Sequence, residues 1–174
     1  MAFVESSRGP RGWSQNPLLI LLLLVATGAI LAALGFQHIG GYIPCPLCLQ
    51  QRYAYYLAIP AALIVIFLAG SQPGLARLIV LVIAAAFLLN AGLGVYHSGA
   101  EWGWWPGPQS CASGVRVDLS KGNLTEELRK ARVIRCDEAP WRFLWLSFAG
   151  WNAVISAALT GLALFASRNL SPRT

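Results

Sequence analysis

Four long apolar runs divide the chain, at Pro17–Phe36, Tyr53–Ala69, Leu75–Val95 and Phe143–Ala166. They are 17 to 24 residues long, close to the ~20 residues a helix needs to cross about 30 Å of hydrocarbon. The second run is short, but it extends backward through Leu49 to the residues after Pro44, giving a span of about 46–69. Its internal Pro60 is tolerable in a membrane helix whose neighbours satisfy the freed carbonyl. The pattern predicts an all-α membrane protein: one domain over 1–174, a four-transmembrane-helix bundle with a long loop, 97–142, between the third and fourth helices.

That loop exceeds what a connector needs. It opens with Trp102, Trp104, Trp105, Pro106 and Pro108 before reaching Cys111. The tryptophans suit anchoring at the headgroup level, with gripping a partner or roofing a ligand as the sharper alternative. Asn123 followed by Glu126 has the form of a capping box. Leu124, Leu128 and Ala131 then predict a short amphipathic helix on the membrane surface.

Composition supports a bilayer protein. Hydrophobic residues are 56% and charged residues 11%, against about 25% charged in a soluble domain, and mean hydropathy is +0.57. A soluble enzyme and a disordered chain are both excluded on these grounds. The net charge of +6 does not mark a nucleic-acid binder. Its excess comes from Arg8, Arg11, Arg77, Arg168 and Arg173 at helix ends, with the long loop nearly balanced and Arg52 standing alone. By the positive-inside rule both termini and the Gly70–Gly74 turn are cytoplasmic. The Gln37–Pro44 segment and the loop 97–142 then face the other side, the periplasm in a bacterium. The first run is longer than a signal-peptide core and lacks a clear cleavage site, so it reads as an uncleaved first helix.

Two stripes of small residues, Ala149-Ala153-Ala157-Gly161 and Gly28-Ala32, predict close helix approach. Asn90 and Asn152 lie at membrane depth, as interhelical hydrogen-bonding residues or as ligand contacts.

The cysteines carry the chemistry. Cys45, Cys48, Cys111 and Cys136 all fall on the periplasmic side of this topology, where disulfides persist. Two inert staples are the plain alternative. A metal site is disfavoured because Cys111 and Cys136 do not form a second short pair. Covalent haem attachment fails because Leu49 follows Cys48, and a haem held between His38 and His97 would lie outside a bundle core. In Pro44-Cys45-Pro46-Leu47-Cys48, Pro46 suits the first helical position and puts Cys45 at the cap. Both sulfurs then sit at the positive helix end, which favours thiolates. Arg52 lies one turn below Cys48 on the same face. A staple needs none of this, whereas a redox pair does.

At these residues the chain resembles the disulfide-bond formation protein B (DsbB) family, over roughly Pro17 to Ala166. The resemblance rests on four spans in order, CPLC followed by Arg52, and a second cysteine pair before the last span. Tyr96-His97 and a Trp five residues after the last cysteine, Trp141, add to it. It implies an inner-membrane thiol-disulfide oxidoreductase that reoxidises a DsbA-like periplasmic oxidase and passes electrons to a membrane quinone, ubiquinone or menaquinone. By the same carry-over the partner attacks Cys111 of a Cys111–Cys136 disulfide, Cys45 exchanges with that pair, and Cys48 faces the quinone. Arg52, His97 and Trp141 become quinone-pocket residues. Gln50-Gln51 departs from the family, which often places an acidic residue before the Arg. Resting disulfides Cys45–Cys48 and Cys111–Cys136 are expected. A DsbA-like oxidant sits near −120 mV, so a structural disulfide below about −300 mV would be uphill by roughly 8 kcal/mol as its oxidant. The loop disulfide must therefore be strained or coupled to a much better terminal acceptor, and the quinone that the resemblance implies fits the second case.

Overall fold

The computed structural model describes residues 17–108 and 136–170. Four helices run through them: α1 (Pro17–His38), α2 (Pro46–Leu68), α3 (Pro73–Glu101) and α4 (Phe148–Asn169). A two-stranded antiparallel hairpin, β1 (Arg142–Phe143) and β2 (Leu146–Ser147), leads into α4. The helix starts follow from local chemistry. Pro46 and Pro73 occupy first turns, where a missing N–H leaves nothing unsatisfied. The Cys45 sulfur and the Ser147 hydroxyl accept the backbone N–H groups of Cys48 and Gly150, each at 3.2 Å, as caps do.

All four helices are long and apolar enough to span a membrane, and the protein is a multi-pass membrane protein. Large apolar side chains such as Leu24, Leu31, Phe67, Leu88 and Leu89 point outward. The interior combines small residues (Ala26, Ala58, Ala62, Ala163) with Leu19, Leu22, Val80, Ile83, Phe87 and Leu159. Lipid gives no hydrophobic drive for helix association, so close packing and hydrogen bonds must supply it. α3 and α4 form the most extensive contact, α2 also packs on α3, and α1 lies against α2 and α4. A Cβ added at Gly94 of α3 would stand 2.9 Å from the Ala153 Cβ of α4, closer than any side chain could be. Asn90 Nδ2 donates to Ser156 Oγ at 2.9 Å and to Asn152 Oδ1 at 3.3 Å, and Tyr55 donates to the same Oδ1 at 2.8 Å. The two asparagines thus tie α2, α3 and α4 together.

Several expected boundaries move. α3 does not stop at Val95 but continues to Glu101, so the loop predicted from His97 begins after it. Trp105 covers this extension. Its ring stacks on Tyr96, its Nε1 donates to the Tyr96 carbonyl at 2.8 Å, and it lies over Gly99, where any Cβ would collide with it. The fourth helix begins at Phe148 and not at Phe143, because Leu144 and Trp145 form a two-residue turn with φ of 49° and 72°. That left-handed turn suits a hairpin, although it strains non-glycine residues. Contacts beyond the turn hold it: Trp151 Nε1 donates to the Phe143 carbonyl at 3.0 Å and Arg142 to the Glu101 carbonyl at 3.2 Å. The predicted stripe on α4 is interrupted. Ala149 is buried while Ala157 faces outward, and a Cβ added at Gly28 on α1 would meet nothing within 4 Å. Cys111 and the predicted 123–131 helix lie outside the described residues.

Candidate active site

The α2 N-terminus, the end of α3 and the segment preceding β1 meet at one end of the bundle. Cys45 caps α2 and is buried, Cys48 lies one turn on, and Cys136 is brought in from the far side of the loop, also buried. The Cys45 and Cys48 sulfurs are 2.8 Å apart. The expected Cys45–Cys48 disulfide is not formed here: both are thiols, whereas Cys136 is disulfide-bonded. A hydrogen bond with the Cys48 side chain, reinforced by His97 and the Cys48 backbone N–H, holds the Cys45 thiol well below the ordinary thiol range despite the opposing effect of burial. Cys45 is therefore the thiolate of the pair, the form that acts as a nucleophile.

His97 is 2% exposed and forms the hub of the arrangement. Its Nε2 lies 3.7 Å from the Cys45 sulfur and 3.8 Å from Glu101, one turn further along α3. Its Nδ1 accepts from Gln51 Nε2 at 2.9 Å, and Gln51 Oε1 accepts from Asn152 Nδ2 at 2.8 Å. This chain of bonds fixes the Gln51 amide and directs an Nε2–H of the imidazole at the Cys45 sulfur. The ligand atoms of Cys45, His97 and Cys136 all lie within 4.8 Å of one another. Glu101 is held in turn by the Ser147 hydroxyl at the start of α4.

Beyond Cys48 a cavity of about 410 Å³ opens between α1, α2, α4 and the hairpin. Its walls are largely apolar: Ala29, Ala33, Phe36, Tyr42, Trp141, Phe143, Phe148, Trp151 and Ile155. Trp141 stacks on Phe148 at 5.0 Å and leans on Phe36 at 5.4 Å, forming an aromatic cage. The polar end carries Cys48, Gln51, Arg52 and Asn152. Arg52 donates to Gln37 Oε1 of α1 at 2.6 Å, which fixes the guanidinium beside the cavity. The size and the mix of apolar wall with a few convergent polar groups are those of a small-molecule site.

The structure places Cys45, Cys48, Cys136, Arg52 and Trp141 at one end of the bundle, with Cys111 outside the described residues. His97 is placed differently. It faces Cys45 and Gln51 and is not among the residues lining the cavity. Gln51, Gln37 and Glu101 are the residues that sequence reasoning missed. The available signal for Gln51 was a polar residue on the same α2 face as Cys48, one turn into an apolar helix.

The chain matches the family of disulfide bond formation protein DsbB over residues 15–166. It is 34% identical to disulfide bond formation protein B of Marinobacter nauticus, covering 88% of this chain and 92% of that one. Its counterpart in Polaromonas naphthalenivorans is also 34% identical, covering 84% and 90%. The Xanthomonas oryzae pv. oryzae protein is 33% identical, covering 90% and 91%. No solved structure matches. Four membrane-spanning helices, a cysteine pair capping the second and a family match across nearly the whole chain lead to one conclusion: the protein belongs to the DsbB family of disulfide bond formation proteins, membrane oxidoreductases acting on disulfides.

Proposed function

We propose that the protein is a protein disulfide:quinone reductase of the bacterial inner membrane. It takes electrons from a DsbA-like periplasmic dithiol oxidase and delivers them to ubiquinone or menaquinone. The observation that carries this reading is the continuous row of groups from Cys136 through His97 and Cys45 to Cys48 and the Arg52 cavity. Each group lies within a few ångströms of the next. Both termini are assigned to the cytoplasm from the basic residues near them, which leaves the sulfur cluster on the periplasmic side.

A quinone held in the cavity supplies a two-electron oxidant, and the apolar walls with one fixed guanidinium fit such a group. Trp141, Phe36 and Phe148 would hold a flat ring, and Arg52 would stabilise negative charge developing on a ring oxygen. Cys45, already a thiolate, and Cys48, a thiol, would together lose two electrons and one proton as their disulfide closes, with the quinone as the two-electron acceptor and its second proton taken up from solvent. The partner's thiolate attacks Cys111 of the loop disulfide and releases Cys136 as a thiolate beside His97. Cys136 then attacks the Cys45 sulfur of the closed pair, forming Cys45–Cys136 and releasing Cys48. The partner's second thiol attacks the partner sulfur bonded to Cys111, so the partner leaves as its disulfide and Cys111 is released as a thiolate. Cys111 in turn attacks Cys136, which re-forms the loop pair and returns Cys45 to the thiolate. His97 donates its Nε2–H toward Cys45 or Cys136 whenever that sulfur is anionic.

The test uses purified protein in detergent, reduced and freed of reductant. Addition of a short-chain ubiquinone or menaquinone should re-form disulfides at a catalytic rate, with quinone consumed in proportion. Reoxidation no faster than with air alone rejects the reading in favour of an inert, stapled membrane scaffold.

A further inference from the structure

The sulfur relay uses Cys45, His97 and Cys136 one after another, yet the fold holds all three ligand atoms at once within 4.8 Å, every one buried. Two thiolates and an imidazole are the donor set of Cys₂His zinc sites that keep one position open. The distances fit. With Zn–S of about 2.3 Å and Zn–N of about 2.0–2.1 Å, a tetrahedral S–Zn–N edge is about 3.6 Å, and Cys45 Sγ to His97 Nε2 is 3.7 Å. Glu101 is 3.8 Å from the same nitrogen and offers an oxygen to the fourth position. Metal-bound imidazoles are held at their other nitrogen by an outer partner, and Gln51 occupies that place at 2.9 Å. Its amide presents an NH₂ to an accepting Nδ1, and ligation at Nε2, which needs an acceptor for the Nδ1–H, requires the amide to turn over and give up its 2.8 Å bond from Asn152.

Only the Cys136 disulfide blocks the site in this structure, because a disulfide sulfur is a poor ligand for zinc and a thiolate a good one. We propose that reduction of that disulfide creates a site for one soft divalent cation, zinc or cadmium, held by Cys45, His97 and Cys136 with Glu101 in reach. Binding displaces thiol protons and transfers no electrons. Occupancy removes the Cys136 nucleophile and its Cys45 target together, so the metal arrests the reduced protein. That consequence rests on the exchange function proposed above, whereas binding itself does not. The cation thereby competes with disulfide re-formation whenever reduced protein accumulates.

The experiment titrates Cd²⁺ into full-length protein in detergent and follows the ultraviolet sulfur-to-cadmium charge-transfer band, with Zn²⁺ as competitor. Reduced protein should bind one Cd²⁺ per chain, displaceable by Zn²⁺, and fully oxidised protein none. His97→Ala should weaken binding at least tenfold. Cys136→Ser and Cys111→Ser remove the same disulfide, which controls for folding. Reduced Cys111→Ser should bind as the parent does, whereas Cys136→Ser should lose affinity by a hundredfold or more. Equal binding by oxidised and reduced protein, or equal behaviour of the two serine variants, overturns the proposal. Quinone-dependent reoxidation of the metal-free sample is read separately. Normal reoxidation without metal binding sinks this inference alone, and metal binding without reoxidation supports it while sinking the quinone reading.

Discussion

Replacing Arg52 by Met should cut quinone-dependent turnover by roughly ten- to a thousandfold and leave thiol exchange at the loop disulfide nearly untouched. Arg52 is half-buried on α2, lines the cavity with Cys48, and is fixed by its 2.6 Å bond to Gln37. Little water can screen it among the aromatic walls, so a charged hydrogen bond lost there is worth about 1.5–4 kcal/mol. At about 1.4 kcal/mol per tenfold, that gives the stated range. Met retains much of the side-chain length, so the cavity does not collapse. Gln37→Leu is the companion variant. It releases the guanidinium without deleting it and should cost only a few-fold. The assay measures two steps on one preparation: single-turnover reduction of the loop disulfide by a reduced thioredoxin-like protein, and steady-state turnover with quinone. Normal steady-state turnover in Arg52→Met would reduce Arg52 to a headgroup or topology residue and refute the reasoning.

Protein with Cys45 and Cys48 reduced and the Cys136 disulfide intact should keep about one thiolate per chain on acidification from pH 8 to pH 6. The Cys45 pKa is depressed, so its ionised form is lost only well below the range where an ordinary thiol titrates. Thiolate absorption that falls about tenfold per unit across that window would contradict the assignment. Gln51→Leu leaves His97 and Asn152 without the partners they have at 2.9 and 2.8 Å. It should destabilise the bundle by about 2–4 kcal/mol, with Gln51→Glu much milder, as read from unfolding in graded SDS. Gly94→Ala should lower stability by about 1–3 kcal/mol through its clash with Ala153. Ala153→Gly in the same chain should restore most of the loss, and failure of that rescue would show that the close approach is not what Gly94 serves.

The spans were legible because length and hydropathy alone decide them in lipid, and the α2 start because Pro46 and Cys45 carry the capping signal themselves. The end of α3 was not. His97-Ser98-Gly99-Ala100-Glu101 has neither the apolarity of a span nor a helix stop, and what keeps it helical is the cover provided by Trp105. The hairpin before α4 was hidden for the opposite reason. Leu144 and Trp145 lack the Asn-Gly or Gly signature of a tight turn, and as apolar residues they read as part of a span beginning at Phe143. In the site, Cys48 and Arg52 follow from helical spacing, since both lie on one helix. The roles of Gln51, Glu101 and His97 depend on contacts between helices, which no single segment encodes.

Rapid mixing and acid quenching test the sulfur relay most directly. Oxidised protein is mixed with a reduced thioredoxin-like partner and quinone, stopped within the first turnover, alkylated and mapped for disulfides. A Cys45–Cys136 disulfide should rise and decay within one turnover. If Cys45–Cys111 and Cys48–Cys136 were the only cross-pairings found, the relay from Cys136 through Cys45 to the Arg52 cavity would be wrong.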